Sequence, residues 1–559
     1  MCKQGIDYSD EGKYLLDSQD PNLSPGLVTF YGFFYHPVMM LINSNIPYFR
    51  FSNILITFLV ASISTSFSLK YLGVQTNQRS TISLVISAHA GLISLAYFSV
   101  SWLPTPSYNS LTFQTTLICL VAIFRYLYFS NGAGSFYNLA FLSASFSFLF
   151  LAKPTSFFCL YSLFLLTAAV EKKMNLKFII KLTFFSLVSL LAFSILIYGD
   201  LFGLFRSISL GLGYTQLLSS SYDLSSQLRL DVIPIWVYRN IILGLLCLLL
   251  IVLVNKNLFG KHFSIDRLKI AFLIGGVILL ANFDFVHRFF GMSLIAVSTF
   301  IFLGFSTQYF TRDALSAIPK FILVVPFLPL AAAAGTNNNL WAQSSLYVFF
   351  TYLFGLLLYL FLFSKFQAND NWFPISLVTI FFTFAFIVSA GHEPYRQLNA
   401  LNKNHTSIDF NSRVSGMKLT ASSAKQLTEI SRKIAVAGFR PDTHLIDFSG
   451  QSPTTLFLFQ ARAVGDSWLI GGYEGSNMVA IKKLKRTPCA IFTESWLLIE
   501  EGGPRSLDSR FILKQLDTSL NDYEKVVSWF TPAGAGGYRE PRAQDLYRPK
   551  LPKGKCTNP

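Results

Sequence analysis

The residues best suited to chemistry form a dense acidic patch near the amino end of the chain. Residues 7–20 hold five acids in fourteen positions, and two of them, Asp10 and Glu11, are adjacent. Such a carboxylate pair can remove a proton from an incoming hydroxyl or bind a divalent cation such as Mg²⁺ or Mn²⁺. The same pair also suits the first turn of a helix, where the helix dipole favours acids. The residue types alone leave both interpretations open.

A long apolar part follows the patch and sets the class of protein. The chain of 559 residues is 52% apolar and only 13% charged, against roughly 25% charged residues in soluble proteins. This excess indicates a membrane protein. Since a bilayer span uses about 20 residues, we predict about twelve spans, near 52–69, 82–102, 109–129, 136–151, 155–171, 178–199, 234–255, 268–284, 289–310, 315–334, 345–364 and 372–390. Lys153-Pro154 leaves a broken re-entrant element possible between the fourth and fifth runs.

The last part of the chain has a different composition. Residues 391–559 carry 23 basic and 16 acidic side chains, whereas the 390 residues before them carry only 22 and 13. We therefore predict an α-helical polytopic membrane protein with a C-terminal soluble α/β domain. The predicted domains are an outer acidic loop with interfacial helices (1–50), a transmembrane domain (51–390) and an extracytoplasmic α/β domain (391–559). Within the last, we predict helices at 421–438, 475–486 and 508–516, strands at 444–448, 489–493 and 523–530, and a basic tail from Thr531.

The charges of the short loops predict the orientation. Placing the amino end outside puts fourteen basic residues of the membrane part on the cytoplasmic side and eight outside, as the positive-inside rule requires. The net charge of +16 therefore needs no nucleic-acid partner. We expect a bacterial inner membrane with the C-terminal domain extracytoplasmic. A cytoplasmic amino end would invert this orientation.

Two further expectations concern the first 50 residues. The stretch from Leu23 to Arg50 contains Pro25, Pro37 and Pro47, which predicts interrupted helices lying at the membrane surface rather than a span. No signal peptide or leading span precedes the acidic patch. We therefore expect that a transmembrane helix is missing ahead of this sequence.

The pattern Asp10-Glu11-x-x-Tyr14 in a first outer loop, followed by about a dozen spans and an outward domain, resembles the GT-C superfamily of membrane glycosyltransferases. Relatives include the protein O-mannosyltransferases and the enzymes that add aminoarabinose to lipid A. The strings 103–110, 152–155 and 335–339 fit the same resemblance, which covers roughly residues 5–390. It implies transfer of a hexose or pentose from a polyprenyl-phosphate donor to an acceptor at the outer membrane face, with inversion. By this analogy Asp10 is the first choice for the general base and Glu11 the second.

The resemblance also directs attention to groups around such a base. A leaving lipid phosphate requires cations, for which Lys153, His287 and Arg288 are candidates, since arginine can hold two phosphate oxygens at once. Each of these could instead be an interfacial anchor with its head in water. The remaining expectations are a divalent metal on Asp10 and Glu11, and substrate contacts from Tyr14, Tyr108, Asn109 and Asp200.

Other functions remain open from the sequence. The main alternative is a polytopic transporter or a lipid-carrier flippase, although acids near the surface and the lack of an evident repeat are not typical of transporters. A scaffold that binds a partner through its outer domain is a third class. The acceptor could be a glycan, a lipid or a protein. Cys489 and Cys556 could form a disulfide in an oxidising compartment or remain free.

Overall fold

The computed structural model describes residues 1–72, 80–98, 103–129, 136–218, 318–336, 338–366, 388, 390–392 and 394–550. The spans predicted at 234–255, 268–284 and 289–310, and most of 372–390, lie outside this part of the chain. The predicted number of spans therefore stays a prediction.

Helices occupy the remaining apolar runs, close to their predicted limits. Three of them are long and apolar enough to cross a membrane, and the bent pair Leu340–Tyr347 and Phe349–Leu357, with 55° between its halves, would make a fourth. The chain is thus an integral membrane protein with a mainly helical membrane part. Its described α-helices are α1 (Asp10–Gln19), α2 (Tyr31–Leu41), α3 (Ile46–Tyr71), α4 (Ser80–Ser94), α5 (Tyr108–Tyr128), α6 (Phe136–Ala152), α7 (Pro154–Val170), α8 (Leu176–Tyr198), α9 (Gly203–Leu217), α10 (Leu328–Ala333), α11 (Leu340–Ser344) and α12 (Phe349–Phe366).

Helix α5 is the centre of the described membrane part. Its spanning window is 89% buried by protein, whereas that of α8 is only 11% buried. Helices α3 and α6 pack against α5, and Phe113, Leu117 and Phe124 on α5 have no exposed surface. The exposed surface of α8 is mainly apolar, which suits a position facing lipid.

The prolines between residues 23 and 50 act differently from the prediction. Pro37 lies inside α2 without ending it. Pro47 lies in the first turn of α3, behind the N-cap Asn45 whose side chain accepts a hydrogen bond from the Tyr48 amide. Proline is favoured in the first turn because its missing N–H would have no partner there. Arg50 therefore belongs to the spanning helix and not to a surface segment.

The C-terminal part contains a five-stranded sheet in the order β4-β3-β5-β7-β6. Strand β3 is parallel to both β4 and β5, whereas β7 is antiparallel to β5 and β6. The sheet-containing α/β architecture is thus confirmed. Its strands are β3 (His444–Asp447), β4 (Arg462–Ala463), β5 (Trp496–Ile499), β6 (Tyr523–Phe530) and β7 (Ala543–Pro549), after a separate hairpin β1 (Thr406–Ile408) and β2 (Met417–Leu419).

The helices of this part lie close to the predicted ones. The first begins after the N-cap Thr420, and its end is followed by Gly438 at φ +96°, where a residue with a Cβ would be strained. The described helices are α13 (Ala421–Val436), α14 (Pro453–Leu458), α15 (Ser476–Leu484), α16 (Cys489–Glu494) and α17 (Ser509–Lys514).

Two elements of this part differ from the sequence prediction. The apolar run at 489–493 is helix α16, and the buried strand β5 follows it. Short apolar runs do not distinguish a helix from a strand. The predicted tail contains β7, which pairs on both sides and buries Gln544 and Leu546 in alternation. Its one arginine and one proline, Arg548 and Pro549, lie at its carboxyl end, where they do not interrupt the ladder.

The amino-terminal segment lies between the two parts. The Gly5 amide donates to the Lys418 carbonyl, and the Lys418 amide donates to the Lys3 carbonyl. Helix α1 packs on α14, and a Cβ at Gly12 would lie only 2.0 Å from the Thr454 nitrogen. This close approach requires glycine at position 12. The acidic patch is thus held between membrane helices and the C-terminal sheet domain.

Candidate functional site

The two adjacent acids open helix α1, as the dipole argument predicted. Asp10 and Glu11 both lie in its first turn. Successive side chains on a helix point about 100° apart, because one turn contains 3.6 residues. The two carboxylates therefore enter different environments.

Glu11 is locked in a buried ion pair with Arg50 of α3. The guanidinium donates from Nε to Oε1 and from Nη2 to Oε2, each at 2.8 Å, and both side chains are at most 2% exposed. Thr105 Oγ1 also donates to Oε1, and the Asp7 amide donates to Oε2 at 3.0 Å. Both oxygens of Glu11 are thus occupied.

Arg50 also fixes the chain that precedes α1. Its guanidinium donates to the carbonyl oxygens of Cys2, Gln4 and Gly5 at 2.9 to 3.2 Å. The bidentate salt bridge between Arg50 and Glu11 is both strong and directional. The Glu11–Arg50 pair therefore positions the whole acidic patch against α3.

Asp7 is a fully buried acid beside this pair. Its oxygens accept from the Ser9 hydroxyl at 3.0 and 3.2 Å and from the Glu11 amide at 3.1 Å. Burial and the charge of Asp10 together raise the pKa of Asp7 to about 7, against the lowering effect of Arg396. Asp7 is therefore largely protonated below neutral pH.

Asp10 is held by two residues from the chain that enters the C-terminal part. Tyr395 Oη donates to Asp10 Oδ2 at 2.5 Å, and Arg396 Nη1 lies 3.1 Å from the same oxygen. Arg396 also donates to Ser9 Oγ at 2.6 Å. The Asp10 side chain keeps 20% of its surface exposed. No residue in the described part of the chain donates a hydrogen bond to its other oxygen, Oδ1.

Three tyrosines form an aromatic wall next to Asp10. The Tyr14 ring meets those of Tyr31 and Tyr108 edge-on, with centroids 5.6 and 6.1 Å away. Burial raises the pKa of Tyr14 well above its ordinary value, and the charges of Tyr108 and Asp10 add to this effect. Tyr14 and Tyr108, both predicted substrate contacts, are thus brought together with Asp10.

Asn109 lies beside this wall at the start of α5. Its side-chain and backbone oxygens accept from Tyr347 Oη at 3.2 and 3.5 Å. This contact joins α5 to the segment between α11 and α12. Asn109 is half-buried, and its side chain also hydrogen-bonds to Tyr108.

A small cavity of about 50 Å³ opens beside Arg396. Tyr8 lines it, and the buried Tyr8 hydroxyl has no hydrogen-bond partner among the described residues. A space of this size holds a few water molecules and no sugar. The cavity therefore offers hydration next to Arg396 rather than a substrate pocket.

Lys153 lies apart from this group. Its buried ammonium donates to the carbonyl oxygens of Ala332 and Ala333, at 2.9 and 3.2 Å. These carbonyls end helix α10, where a cation is favoured by the helix dipole. Lys153 thus joins the start of α7 to the end of α10, and this contact occupies the ammonium that we predicted to bind a phosphate.

Asp200 also lies outside the Asp10 group. It forms a local ion pair with Arg206, and its Oδ1 accepts from the Phe202 amide at 2.8 Å. Both side chains are well exposed. His287 and Arg288 lie outside the described residues, so their predicted contact with a phosphate stays a prediction.

A divalent cation on Asp10 and Glu11 does not fit this geometry. Both Glu11 oxygens face Arg50, and Asp10 Oδ2 faces Arg396, so two arginines occupy the positions a cation would take. Within the described ranges, no group of three or more His, Cys, Asp or Glu side chains could hold a metal ion. We therefore derive no step through a metal.

A second charged cluster fastens the acidic patch to the C-terminal part. Lys13 bonds to Asp17 at 2.8 Å, and Ser24 bridges Asp17 to Asp466 at 3.0 and 2.9 Å. Lys483 pairs with Asp466. Burial alone would raise the pKa of Asp466, but the charges of Lys483 and Lys13 outweigh it and lower that pKa.

Sequence reasoning missed three residues of the site. Asp7 lacked the adjacent acid that drew attention to Asp10, although it lies four positions before Glu11 and exchanges hydrogen bonds with it at the start of the helix. Tyr395 and Arg396 lie almost 400 residues from Asp10, and only their position at the junction of two domains could have drawn attention to them.

Cys489 is disulfide-bonded, and its pairing with Cys556 stays a prediction because Cys556 lies outside the described part.

These features define a helical integral membrane protein with a C-terminal α/β domain and a partly open carboxylate between the two. No family model matches the sequence, and no curated protein matches it. Two crystal structures of ArnT from Cupriavidus metallidurans are similar to it over 98% of this chain and 94% of theirs. The apo structure gives a TM-score of 0.35 with 12% identity, and the one bound to undecaprenyl phosphate gives 0.36 with 10%. Likeness at this level carries no functional argument.

Proposed function

We propose that the protein is a glycosyltransferase of the GT-C type, which moves a sugar from a polyprenyl-phosphate donor to an acceptor hydroxyl. The acidic motif Asp10-Glu11-x-x-Tyr14 supports the class. The observation that carries the proposal is the state of Asp10, whose Oδ1 is free of described donors while Oδ2 is held by Tyr395 and Arg396. A general base needs an available oxygen within hydrogen-bond reach of the proton, and the bonds to Oδ2 hold the carboxylate in place.

In the proposed reaction, Asp10 Oδ1 takes the proton of the acceptor hydroxyl. The acceptor oxygen then bonds to the anomeric carbon as the bond from that carbon to the phosphate oxygen breaks. The lipid phosphate leaves with the electron pair, and attack from the opposite side inverts the anomeric centre. Arg396 stabilises the Asp10 carboxylate before proton transfer.

When Asp7 is protonated, it adds no negative charge next to this base. With its pKa raised to about 7 by burial and by Asp10, Asp7 is mostly neutral in mildly acidic surroundings. Two like charges at such a site are unfavourable. A neutral Asp7 therefore supports Asp10 as the group that carries the charge.

The leaving phosphate needs cations, and His287 and Arg288 remain our candidates. Lys153 is a weaker one, because its ammonium is occupied by the end of α10. Tyr14 and Tyr108 are proposed to pack against a substrate ring, since aromatic faces suit the apolar face of a sugar. The C-terminal domain is proposed to lie on the same side of the membrane as Asp10.

Replacement of Asp10 by Asn tests this proposal. Purified protein is supplied with a panel of radiolabelled polyprenyl-phosphate hexoses and pentoses together with membrane acceptors, and transfer is measured. We expect Asp10→Asn to lower transfer by roughly 10²–10⁴-fold, the range for loss of a general base.

Asp20→Asn is the matched control, because Asp20 belongs to the same patch and, among the described residues, its side chain accepts only from the nearby Asn22 amide. It should leave the rate within about twofold. Undiminished transfer by Asp10→Asn would refute the base assignment. Turnover of none of the donors by the wild-type protein would refute the proposed function, and transport of the lipid carrier without transfer would favour a flippase.

A further inference from the structure

A second polar site lies in the C-terminal sheet, at the carboxyl ends of two neighbouring parallel strands. Strands β3 and β5 are parallel, and each is followed directly by buried polar residues. Ligands of open α/β sheets bind at this edge. The edge is formed here by residues 448–452 after β3 and by Glu500 after β5.

Glu500 is the centre of a buried network at this edge. Gln451 Nε2 and Arg542 Nε donate to its Oε1 at 2.7 and 2.8 Å, and Gln544 Nε2 donates to its Oε2 at 2.8 Å. Glu500 is 1% exposed. The network is thus satisfied at its centre and holds these side chains in fixed positions.

One atom of this network has no partner in the described part of the chain. The Gln451 side chain is only 2% exposed, and its Oε1 accepts no hydrogen bond from any described residue. A buried acceptor left unpaired costs about 1–3 kcal/mol. Such an atom is retained at little cost when a ligand supplies the missing donor.

A glycine loop approaches this orphan oxygen. Gly534, Gly536 and Gly537 have φ angles of 87°, 66° and 86°, which residues with a Cβ rarely adopt. A Cβ added at Gly536 would lie 3.2 Å from Gln451 Oε1. The loop therefore lies over that oxygen without placing a side chain on it.

Two arginines and two tyrosines alternate beside the loop. The Arg505 guanidinium lies 4.5 Å from the Tyr473 ring centroid, and the Arg542 guanidinium lies 5.0 Å from that of Tyr538. Arg505 also hydrogen-bonds to both tyrosines. Arg542 is neutralised by Glu500, but no carboxylate in the described part of the chain lies within ion-pair distance of Arg505. These four half-buried side chains thus carry one uncompensated positive charge.

This site is continuous with the Asp10 group. A Cβ at Gly537 would lie 3.4 Å from the Cγ atom of Arg396, and Arg396 is the ion-pair partner of Asp10. The glycine loop therefore contacts Arg396, which we propose positions the general base.

We propose that these residues form an acceptor subsite for an anionic saccharide. Its carboxylate or phosphate pairs with Arg505, its ring packs on Tyr473 or Tyr538, and one of its hydroxyls donates to Gln451 Oε1. The role as acceptor site rests on the proposed glycosyl transfer, whereas the binding itself does not. A neutral sugar would leave Arg505 without a partner and should bind less tightly.

Calorimetric titration of the full-length protein in nanodiscs tests the proposal. The probes are digalacturonate, glucose 6-phosphate and the neutral galactobiose. We expect at least one anionic probe to bind at least tenfold more tightly than galactobiose, and the comparison of the two anions identifies the carboxylate or the phosphate as the favoured group. Arg505→Gln should weaken that binding at least tenfold, and Gln451→Met, which keeps the side-chain length, about threefold.

Arg510→Gln is the matched control. It removes the same charge from the same domain, but Arg510 is exposed and pairs with Glu501 at 3.2 Å, so it should change binding by less than twofold. Thermal unfolding establishes that each variant folds. Equal binding of neutral and anionic probes, no binding of either anion, or equal weakening by Arg510→Gln would overturn the proposal.

Asp10→Asn separates the two proposals. If the anionic probe binds Asp10→Asn as tightly as wild type, the subsite is supported independently of catalysis. If Asp10→Asn abolishes probe binding while the protein stays folded, the subsite assignment is wrong, whatever happens to transfer.

Discussion

The two sides of the first turn of α1 differ sharply although they begin with adjacent acids. On the Glu11 side, a carboxylate and a guanidinium are buried together and every oxygen is paired. On the Asp10 side, the carboxylate is held through one oxygen and remains partly open. Their shared chemistry therefore supports two roles, which we propose are anchoring for Glu11 and proton transfer for Asp10.

The difference teaches that burial, and not residue type, divides the roles of a carboxylate pair. A buried ion pair gains rigidity when it is fully bonded, yet loses heavily when one partner is removed. A partly open carboxylate costs less and can exchange a proton with a substrate. Mutations on each side should therefore change different measured quantities.

The largest expected effect is on stability, from Arg50→Met. Loss of the guanidinium leaves the Glu11 charge buried without compensation, which costs about 3–5 kcal/mol. We expect a marked fall in the melting temperature in detergent.

Two further variants sharpen this result. Arg50→Met combined with Glu11→Gln should recover part of the loss, because no buried charge remains. Arg432→Met, at an exposed position of α13, should change the melting temperature little. If Arg50→Met melts like wild type, the Glu11 side does not anchor the patch.

The next effect is on rate, from Arg396→Gln. This variant removes the cation beside Asp10 while leaving Tyr395 to hold Oδ2, so we expect transfer to fall about tenfold, equal to about 1.4 kcal/mol. Since Arg396 lowers the pKa of Asp7, its removal should also raise that pKa.

The pH dependence of transfer distinguishes this positioning role from a purely structural one. Arg396→Gln should shift the rate profile, and Arg396→Lys should restore much of the rate. If the pH profile of transfer is unshifted and the melting temperature is lower, the loss of rate comes only from structural damage.

The last effect is a change in the pH dependence of stability, from Asp7→Asn. The pKa of Asp7 is raised from 3.8 to about 7 in the folded protein, so the folded state holds a proton that the unfolded state has released. Stability supplied by protonated Asp7 is therefore lost as the pH rises from about 4 to about 7. Asp7→Asn removes this contribution to the slope.

Melting temperatures of both proteins across pH 4 to 8 check this prediction. The value for Asp7→Asn minus that for wild type should increase up to about pH 7 and then stay level. Parallel curves would show that Asp7 does not titrate in this range.

Composition and hydrophobic patterning predicted much of the architecture. The helices α3, α5 and α8 lie where apolar runs of spanning length predicted them, since a bilayer imposes that length directly. Helix α13 and strand β6 likewise match their predicted ranges closely. Local signals such as the N-cap Thr420 and the stop at Gly438 determine these limits.

Strand β7 and the junction residues show where such reasoning fails. The Pro- and Arg-containing segment of β7 has no strong local preference, and its pairing with β5 and β6 is decided by partners distant in sequence. Tyr395 and Arg396 reach Asp10 for the same reason. The role of Tyr395 and Arg396 depends on their contact with Asp10, which no local sequence pattern encodes.

The sequence by itself determined that this chain enters a membrane, that a soluble domain follows, and that an acidic helix start precedes both, because these properties depend on composition and short-range periodicity. Only the tertiary structure decided that Arg50 pairs with Glu11 and that Arg396 pairs with one oxygen of Asp10. It also decided that Lys153 bonds to the carbonyls at the end of α10. The physical reason is that burial and charge pairing are properties of neighbours in space, and these neighbours come from segments far apart in the chain.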